Sequence, residues 1–413
     1  MIANVGLLAA FAFFYSLISA RLSSTVLTGP MIFVLFGLLA GNWGLGLFEF
    51  NINAHSVRTF ADWTLALVLF TDAATANRSA LVHKIRIPER MLFIGMPLVM
   101  LLGTAVGWLL FDHLPIWEIA IVACCLAATD AALGAECLHD EAVPNYLRTG
   151  LNVESGLNDG LAVPVLLVLI ELAVALPDSS MSGTDVMVIL LREIGLGVVV
   201  GVAVSMVGVF LMQQAKRFNW VDADWKQIPV VALAMCSFAF AQELEGSGYI
   251  AAFCGGLMFR QLTKRFSHGM IEGATEVGET LSLVVWVFFG AVMLDIMMPV
   301  MHWTVLVYAL LSLTVVRSLS IILSLAWSGE TLAGKTYLGW FGPRGLASLV
   351  FVEIVSNAGV PHTDFIAGVV FTTVLMSVFL HGLSTHPMSR WLAQLDQESK
   401  RRRNGADDKQ AKT

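Results

Sequence analysis

Long apolar runs alternate with short polar breaks along this chain, and that alternation constrains its fold more than any other feature. The 413 residues are 57% hydrophobic and only 13% charged, with a mean hydropathy of +0.77. Soluble domains carry about twice that share of charged residues. Each run has the roughly 20 residues that a helix needs to cross a bilayer. The sequence therefore predicts an all-α polytopic membrane protein.

We count about thirteen of these runs as candidate transmembrane helices. Their approximate bounds are 2–20, 27–46, 57–77, 91–111, 116–136, 147–175, 185–213, 228–243, 247–263, 273–296, 303–327, 335–357 and 363–388. We expect residues 1–390 to form one transmembrane domain and residues 391–413 to form a short, charged cytoplasmic tail.

Lysine and arginine are confined almost entirely to alternate breaks. The basic set begins at Arg21, includes the break at 78–90 and ends with the tail after Arg390. The breaks between them contain no lysine or arginine and lie near 47–56, 112–115, 176–184, 244–246, 297–302 and 358–362. Short basic loops stay in the cytoplasm. The pattern predicts an N-terminus outside the cell and a C-terminus in the cytoplasm.

The sixth span contains two carboxylates within Asn152-Val-Glu-Ser-Gly-Leu-Asn-Asp-Gly-Leu161. An ionisable side chain at membrane depth costs at least about 2.5 kcal/mol, so it usually faces a partner, a cavity or a transported ion. On a helix, Glu154, Ser155, Asn158 and Asp159 share one broad face because they lie at i, i+1, i+4 and i+5. This spacing predicts a polar stripe directed toward the protein interior.

Two other spans contain polar residues together with helix breakers. Thr129 and Asp130 lie among small residues in the fifth span, and Arg344 lies in the Gly/Pro-interrupted segment 339–348 of the twelfth. Broken helices at membrane depth often form ion sites in transporters. Spans five and twelve are seven apart, as two six-helix repeats around a linker helix would place them. Arg344 is predicted to be the counter-charge to the buried carboxylates.

Other functional classes have less support. A metalloprotease-type enzyme is disfavoured because no His-Glu-x-x-His occurs, and Gly195, Gly197 and Gly201 lie in an apolar helix where glycines usually permit close packing. We predict that the protein is not an enzyme and has no cofactor or nucleic-acid partner. A channel remains an alternative that saturable, proton-coupled flux would exclude. A carrier of organic anions is a second alternative, although the acidic ligands favour cations.

Three motifs, in their order along the chain, resemble those of the monovalent cation/proton antiporters of the NhaP and sodium/proton exchanger type. They are Thr129-Asp130, Glu154-Ser-Gly-Leu-Asn-Asp159 and Gly342-Pro-Arg-Gly345. Weaker likenesses extend the resemblance over roughly residues 1–390 and lie at Leu27–Met31, Gly248–Phe253, Phe288–Ala291 and His381–Ser384. One departure is Ala131, where the family often has proline. The resemblance implies an inverted-repeat fold in which interrupted helices five and twelve cross, and a homodimer.

The resemblance also implies roles for individual residues. Asp159 and Asp130 are expected to bind the monovalent cation and the proton alternately, with Thr129 and Ser155 contributing oxygen ligands. Glu154 is expected to pair with Arg344 and hold the two interrupted regions together. Asn158, directly before Asp159, is typical of members that exchange one cation for one proton.

Two residues have less certain roles. Asp72, in Phe70-Thr-Asp-Ala73, resembles an additional acidic ligand of the family, but it also fits an interfacial carboxylate at the cytoplasmic mouth. Arg317 resembles an arginine that braces the core, with Glu276 or Glu279 as its candidate partner.

The expected function is an electroneutral antiport of Na⁺, or alternatively of Li⁺ or K⁺, against H⁺. We expect a multi-pass protein in contact with lipid in the plasma membrane of a bacterium or archaeon, where such antiport serves pH homeostasis.

Overall fold

The computed structural model describes residues 2–22, 27–47, 55–75, 86–130, 143–175, 183–220, 228–263 and 268–410, together with Thr25, Leu133 and Trp225. Regular secondary structure in these residues is entirely helical. The predicted all-α class is therefore confirmed.

Fourteen helices occur within the described residues. They are α1 (Ile2–Leu22), α2 (Gly29–Ala40), α3 (His55–Thr75), α4 (Arg86–Leu110), α5 (Ile116–Cys125), α6 (Asn145–Ala175), α7 (Gly183–Arg217), α8 (Ile228–Glu243), α9 (Gly248–Thr263), α10 (His268–Met297), α11 (Trp303–Ser324), α12 (Leu332–Trp340), α13 (Leu346–Asn357) and α14 (Thr363–Gln410). In the part of the chain that the structure describes, seven helices are long and apolar enough to cross a membrane: α1, α4, α6, α7, α10, α11 and α14.

These helices correspond to the thirteen predicted spans, with three main differences. The twelfth span is divided into α12 and α13, which are separated by the extended segment 341–345. The fifth span ends as a helix at Cys125, and its residues 126–130 are not helical; apart from Leu133, the rest of its predicted length, including Ala131, lies outside the described residues. The last helix, α14, continues past the predicted end of its span at 388 to Gln410. Much of the predicted tail therefore extends this helix, because propagating an existing helix avoids the cost of nucleation.

The helices pack as two groups. The scaffold group contains α1–α3 and α7–α10, and the core group contains α4, α5 and α11–α14. Within the scaffold, α2 and α10 approach each other closely at Gly37, where an added Cβ would lie 2.1 Å from the Val287 carbonyl oxygen. The missing side chain of Gly37 permits this approach. Helix α6 contacts both groups, since it packs on α5 and α4 and also on α3, α7 and α9. The polar stripe of α6 therefore lies at the boundary between the groups.

Two core helices contain a π-helical turn, at Met91–Gly95 in α4 and at Ser312–Val316 in α11. These are the fourth and eleventh spans, so irregularities recur seven spans apart, as do the breaks in spans five and twelve. The recurrence matches the predicted repeat arrangement. The second π-turn ends immediately before Arg317 and therefore helps set the direction of that side chain.

Candidate functional site

Two extended segments cross in the core group where α5 ends and where α12 and α13 are separated. The backbone amide of Asp130 donates to the carbonyl oxygen of Pro343 at 2.8 Å. Both segments leave backbone groups without helical partners at membrane depth, and this contact pairs two of them. The predicted crossing of the interrupted helices is therefore present.

Opposite charges lie at the helix ends that meet in this crossing. The Arg344 guanidinium donates through Nη1 to the carbonyl oxygens of Ala127 and Ala128, at 3.2 and 3.3 Å, just beyond the C-terminal end of α5. The Asp130 carboxylate accepts through Oδ2 from the amide of Leu346, the first residue of α13, at 3.1 Å. A cation at a C-terminal helix end and an anion at an N-terminal end both stabilise the helix dipoles.

Glycine is required at two positions of the Gly-Pro-Arg-Gly segment because of close approach. A Cβ at Gly345 would lie 2.0 Å from Oδ2 of Asp130, and a Cβ at Gly342 would lie 2.5 Å from Nε of Arg317. Neither position has room for a side chain unless a charged group moves. The motif therefore lets two charged groups, the buried Arg317 and the half-buried Asp130, lie against bare backbone.

The predicted pair between Glu154 and Arg344 is wrong. Glu154 instead forms a bidentate pair with Arg317, with Nη1 to Oε1 at 2.8 Å and Nη2 to Oε2 at 3.0 Å, and both residues are 1% exposed. The candidate partners Glu276 and Glu279 for Arg317 are likewise wrong, because Arg317 pairs with Glu154. The planar guanidinium of Arg317 and the carboxylate of Glu154 fit each other through two parallel hydrogen bonds. Arg344 instead donates to carbonyl oxygens of the backbone that follows α5.

The polar stripe of α6 meets Thr129 directly. The Ser155 hydroxyl donates to the Thr129 carbonyl oxygen at 2.6 Å, and the Asn158 amide donates to Thr129 Oγ1 at 2.5 Å. The backbone amide of Thr129 donates to Oδ1 of Asn158 at 3.3 Å, and its hydroxyl donates to Oε2 of Glu154 at 3.4 Å. These bonds fix the end of the α5 break against α6.

Asp159 differs from its neighbours on α6. It is 6% exposed, and its Oδ1 is buried and accepts no hydrogen bond within the described part of the chain. A buried charged oxygen without a partner is costly, which makes it a candidate site for a ligand or a proton.

Asp159 lines a cavity of about 370 Å³ at the boundary between the scaffold and core groups. The wall contains four carboxylates, those of Asp72, Asp130, Asp159 and Glu279, and one guanidinium, that of Arg148. The other lining residues are Leu65, Val68, Thr71, Thr75, Thr129, Asn145, Thr149, Asn152, Thr275, Ser282, Leu346 and Ala347. Thr75 and Asn152 are exposed, so the cavity reaches the surface near the end of α3 and the start of α6.

The predicted site residues are divided between the cavity wall and its support. Asp72, Asp130, Asp159 and Thr129 line the cavity, whereas Ser155 and Asn158 lie beside it and bind Thr129. Asp72 is half-buried on α3, and Gly156 of α6 packs on it, since a Cβ there would lie 3.3 Å from the Asp72 Cβ.

Two charged lining residues, Glu279 and Arg148, were not predicted to belong to the site. Glu279 could have been found, because Thr275, Glu279 and Ser282 lie at i, i+4 and i+7 and so form one polar face of α10. Arg148 gave no comparable signal, since an arginine near a cytoplasmic helix end usually serves as a topology signal.

Comparison with known sequences identifies related proteins over most of the chain. A profile of the family described as "Sodium/hydrogen exchanger, transmembrane" matches residues 7–391. The chain is 24% identical over 409 residues to a protein named K(+)/H(+) antiporter NhaP from Alkalimonas amylolytica, covering 94% of this chain and 66% of that protein. It is also 24% identical over 337 residues to a protein named Na(+)/H(+) antiporter from Schizosaccharomyces pombe, covering 71% of each.

A further relative is named K(+)/H(+) antiporter NhaP2, from Shewanella sp. strain ANA-3, with 26% identity covering 93% of this chain and 65% of that protein. The chain thus spans just under two thirds of the length of these NhaP relatives, 66% and 65%.

Solved structures of similar fold also exist. The sodium proton antiporter MjNhaP1 from Methanocaldococcus jannaschii at pH 8 matches with a TM-score of 0.68 and 21% identity, covering 92% of this chain and 99% of that one. An electron-microscopy structure of the same antiporter matches with a TM-score of 0.74 and 20% identity, covering 95% and 97%. At these identities the likeness shows the fold alone.

Proposed function

Because the chain belongs to the sodium/hydrogen exchanger family, we propose that it exchanges a monovalent cation for protons across a membrane by alternating access. The observation that supports this most strongly is the buried, unsatisfied Oδ1 of Asp159 in a cavity shared with three other carboxylates. Such a cavity offers a cation both space and compensating charge.

Exchange follows from competition for one carboxylate. In a low-dielectric site, a charged carboxylate without a partner is strongly penalised, so it is stable only when a proton or a cation neutralises it. Both neutralised forms can cross the barrier, whereas the empty charged form cannot. The two substrates therefore travel in opposite directions on the same group.

The ligand set proposed for the cation combines Asp159 and Asp130 with oxygen atoms of Thr129 and Ser155. Carboxylate, hydroxyl and carbonyl oxygens are hard ligands that suit hard cations. Asp72 and Glu279 face the same cavity and are proposed to attract the cation toward Asp159. Asn158 contributes indirectly, since its amide group bonds Thr129 and lies 3.4 Å from Oε1 of Glu154.

Alternating access is proposed to occur between the scaffold and core groups. The cavity contains residues of both groups and of α6. Beyond Asp159, α6, which we propose moves with the core group, closes on the scaffold where its Gly160 meets Phe253 of α9. Phe253 packs so tightly there that a Cβ at Gly160 would lie 2.1 Å from its ring. Displacing the core relative to the scaffold would open this contact and close the cavity.

Na⁺ is our proposed cation, with K⁺ and Li⁺ as alternatives. Relatives at 24% identity are named as K⁺/H⁺ and as Na⁺/H⁺ antiporters, so their names do not separate the two ions. Asn158 is uncharged, so the Asn158–Asp159 pair carries one carboxylate rather than two adjacent ones. This smaller charge supports an exchange of one cation for one proton.

The proposed location is the inner membrane of a bacterium or archaeon, with the N-terminus outside and the C-terminus in the cytoplasm. The alternation of basic breaks supports this orientation. In it, the described cavity opens to the cytoplasm, because Thr75 and Asn152 lie next to basic breaks. The proposed assembly is a homodimer in contact with lipid.

The test is dissipation of a preset ΔpH in proteoliposomes by Na⁺, K⁺ or Li⁺, with the membrane potential clamped and then unclamped. Wild-type protein is expected to dissipate ΔpH with saturation, and Asp159→Asn is expected to reduce the signal to the level of empty liposomes. Glu171→Gln is the matched control, because it makes the same chemical change on α6 outside the cavity.

Three outcomes would contradict parts of this proposal. Wild-type protein that is inactive with every cation at every pH would exclude cation antiport and make an organic anion the next substrate to test. Flux that does not saturate, or that needs no opposing proton gradient, would indicate a channel. A rate that changes when the potential is unclamped would contradict one-for-one exchange.

A further inference from the structure

The extended segment 341–345 is held from its far side by one face of α14. Ser377, His381 and Ser384 lie at i, i+4 and i+7 and so project from the same side of that helix. Ser377 and His381 are buried, with His381 only 2% exposed, and none of the three residues lines the cavity. A buried histidine this close to a helix break needs an explanation beyond packing.

His381 connects the two sides of the break. Its Nε2 lies 3.0 Å from the carbonyl oxygen of Trp340, the last residue of α12. Its Nδ1 lies 3.0 Å from both the hydroxyl and the carbonyl oxygen of Ser377. The Ser377 hydroxyl in turn accepts from the backbone amide of Arg344 at 2.7 Å. The chain of contacts thus runs from the end of α12 to the start of the Arg344–Gly345 turn.

A neutral imidazole satisfies the contacts with the Trp340 carbonyl oxygen and the Ser377 hydroxyl, whereas Nδ1 without a hydrogen lies near the Ser377 carbonyl oxygen but forms no hydrogen bond with it. A carbonyl oxygen only accepts, so Nε2 carries the hydrogen that reaches Trp340. The Ser377 hydroxyl accepts from Arg344 and keeps its own hydrogen, which it can donate to Nδ1. A charged ring would lie buried in the electrostatic neighbourhood of the guanidinium groups of Arg344 and Arg317.

Other contacts restrict the ring further. The Trp340 indole lies 5.5 Å from the imidazole, centroid to centroid, and its Nε1 donates to the Ser384 hydroxyl at 2.8 Å. The Ser384 hydroxyl returns a bond to the carbonyl oxygen of His381 at 3.2 Å. Trp340 is therefore fixed to α14 at both its carbonyl group and its side chain.

We propose that His381, acting through Ser377, is a positioning residue that sets the geometry of the cation site from behind the helix break. His381 and Ser377 hold Trp340 and Arg344 in place and so fix the extended segment 341–345. In that segment, Arg344 binds the carbonyl oxygens that follow α5, and Gly345 lies against Asp130. The inference rests on the proposed function, because the geometry it controls is that of the Asp130–Asp159 site. It assigns His381 no contact with the transported cation or proton.

The test measures the apparent KM for Na⁺, the maximal rate and the pH profile in proteoliposomes. We expect His381→Ala and Ser377→Ala to raise KM about tenfold, because each removes a partner of a buried backbone group. We expect His381→Gln to recover most of the loss, since an amide can donate to Trp340 and accept from Ser377. The recovered variant should keep the wild-type pH profile because the ring does not carry the proton.

Thr373→Val is the matched control. Thr373 is a buried residue one turn before Ser377 on α14, and within the described residues its hydroxyl bonds only the Val369 carbonyl oxygen of its own helix, at 2.8 Å. Its KM is expected to equal that of wild-type protein. If His381→Ala fails to fold, Ser377→Ala and His381→Gln carry the test.

The results separate this inference from the proposed function. A wild-type protein without cation-dependent ΔpH dissipation would contradict the function itself. Active wild-type protein with an unchanged KM in Ser377→Ala and His381→Ala would overturn the positioning role. A shifted pH profile in His381→Gln would overturn it as well, because it would show that the ring titrates during transport.

Discussion

At the scale of single residues, the two buried arginines of the core have different tasks. Arg317 neutralises Glu154 through two parallel hydrogen bonds, whereas Arg344 binds the carbonyl groups that follow α5. A buried ion pair adds little net stability compared with apolar residues of the same size, but removing one partner leaves an uncompensated charge. The pair is therefore a point of vulnerability.

We predict that Arg317→Leu lowers the free energy of unfolding by about 3–5 kcal/mol, because the buried Glu154 carboxylate loses its charged partner and both of its bidentate hydrogen bonds. Thermal unfolding in detergent would measure the effect. Arg192→Leu is the control, since Arg192 pairs with Glu245 at the surface, where both side chains are more than half exposed. Its expected cost is about 0–1 kcal/mol. Equal midpoint shifts for the two variants would contradict the prediction.

Asp72 allows its two interpretations to be separated. If it attracts the cation from the cavity wall, Asp72→Asn raises the apparent KM for Na⁺ about tenfold, which corresponds to ~1.4 kcal/mol of lost interaction. The control is Asp62→Asn, the same change on α3, at a residue that bonds the Tyr249 hydroxyl at 2.7 Å and does not line the cavity. An unchanged KM in Asp72→Asn would favour an interfacial carboxylate instead.

At the scale of helices, the break between α12 and α13 depends on the absence of a side chain at Gly345. Asp130 reaches the first amide of α13 only because no Cβ intervenes. Two helix ends of opposite polarity are thereby brought together, and each faces a side chain of the charge that its dipole favours.

We predict that Gly345→Ala abolishes transport, because its Cβ would lie 2.0 Å from Oδ2 of Asp130 and must displace that carboxylate. Gly195→Ala on α7 is the control, since no atom lies within 4 Å of the Cβ it would add. Rates of ΔpH dissipation, compared at equal amounts of reconstituted protein, would test this. Transport by Gly345→Ala at the wild-type rate would disprove the close contact.

Much of this element-level arrangement was predictable from local patterns. The breaks were predicted from glycine and proline near 339–345 and from small residues around Asp130, and the polar stripe from the spacing of Glu154 and Asp159. The partner of Glu154 was not predictable from such patterns. Arg317 lies 163 positions away, and the direction of its side chain depends on the π-helical turn before it. Sequence periodicity carries no information about such a distant pair.

At the scale of the whole molecule, six of the exposed tryptophans lie near helix ends, in two sets of three. Trp220, Trp225 and Trp327 lie near basic breaks, at 77%, 63% and 95% exposure. Trp43, Trp108 and Trp303 lie near breaks without lysine or arginine, at 55%, 64% and 62% exposure. Tryptophan is enriched at both membrane–water interfaces. The two sets thus support the same bilayer placement as the basic residues, from independent chemistry.

This placement predicts which side of the membrane reaches each end of the protein. In a variant whose five native cysteines are replaced by alanine, Asn152→Cys should react with a membrane-impermeant maleimide only in inside-out vesicles. Met298→Cys, half exposed near the break at 297–302, should react only in right-side-out vesicles. Reversed labelling of both positions would show that the protein has the opposite orientation in the membrane. Labelling of Asn152→Cys from the outside alone would place the cavity mouth on that side.

The cavity volume bears on how the protein would distinguish one alkali ion from another. A space of about 370 Å³ that reaches the surface is far larger than a single water molecule, whose share of the liquid is about 30 Å³. An entering ion can therefore keep much of its hydration shell until it reaches Asp159. In the proposed mechanism, dehydration would then be confined to the last step, where the oxygens of Asp159, Asp130 and Thr129 would replace the waters removed. The relative affinities for Li⁺, Na⁺ and K⁺ would thus measure how completely those few oxygens substitute for water.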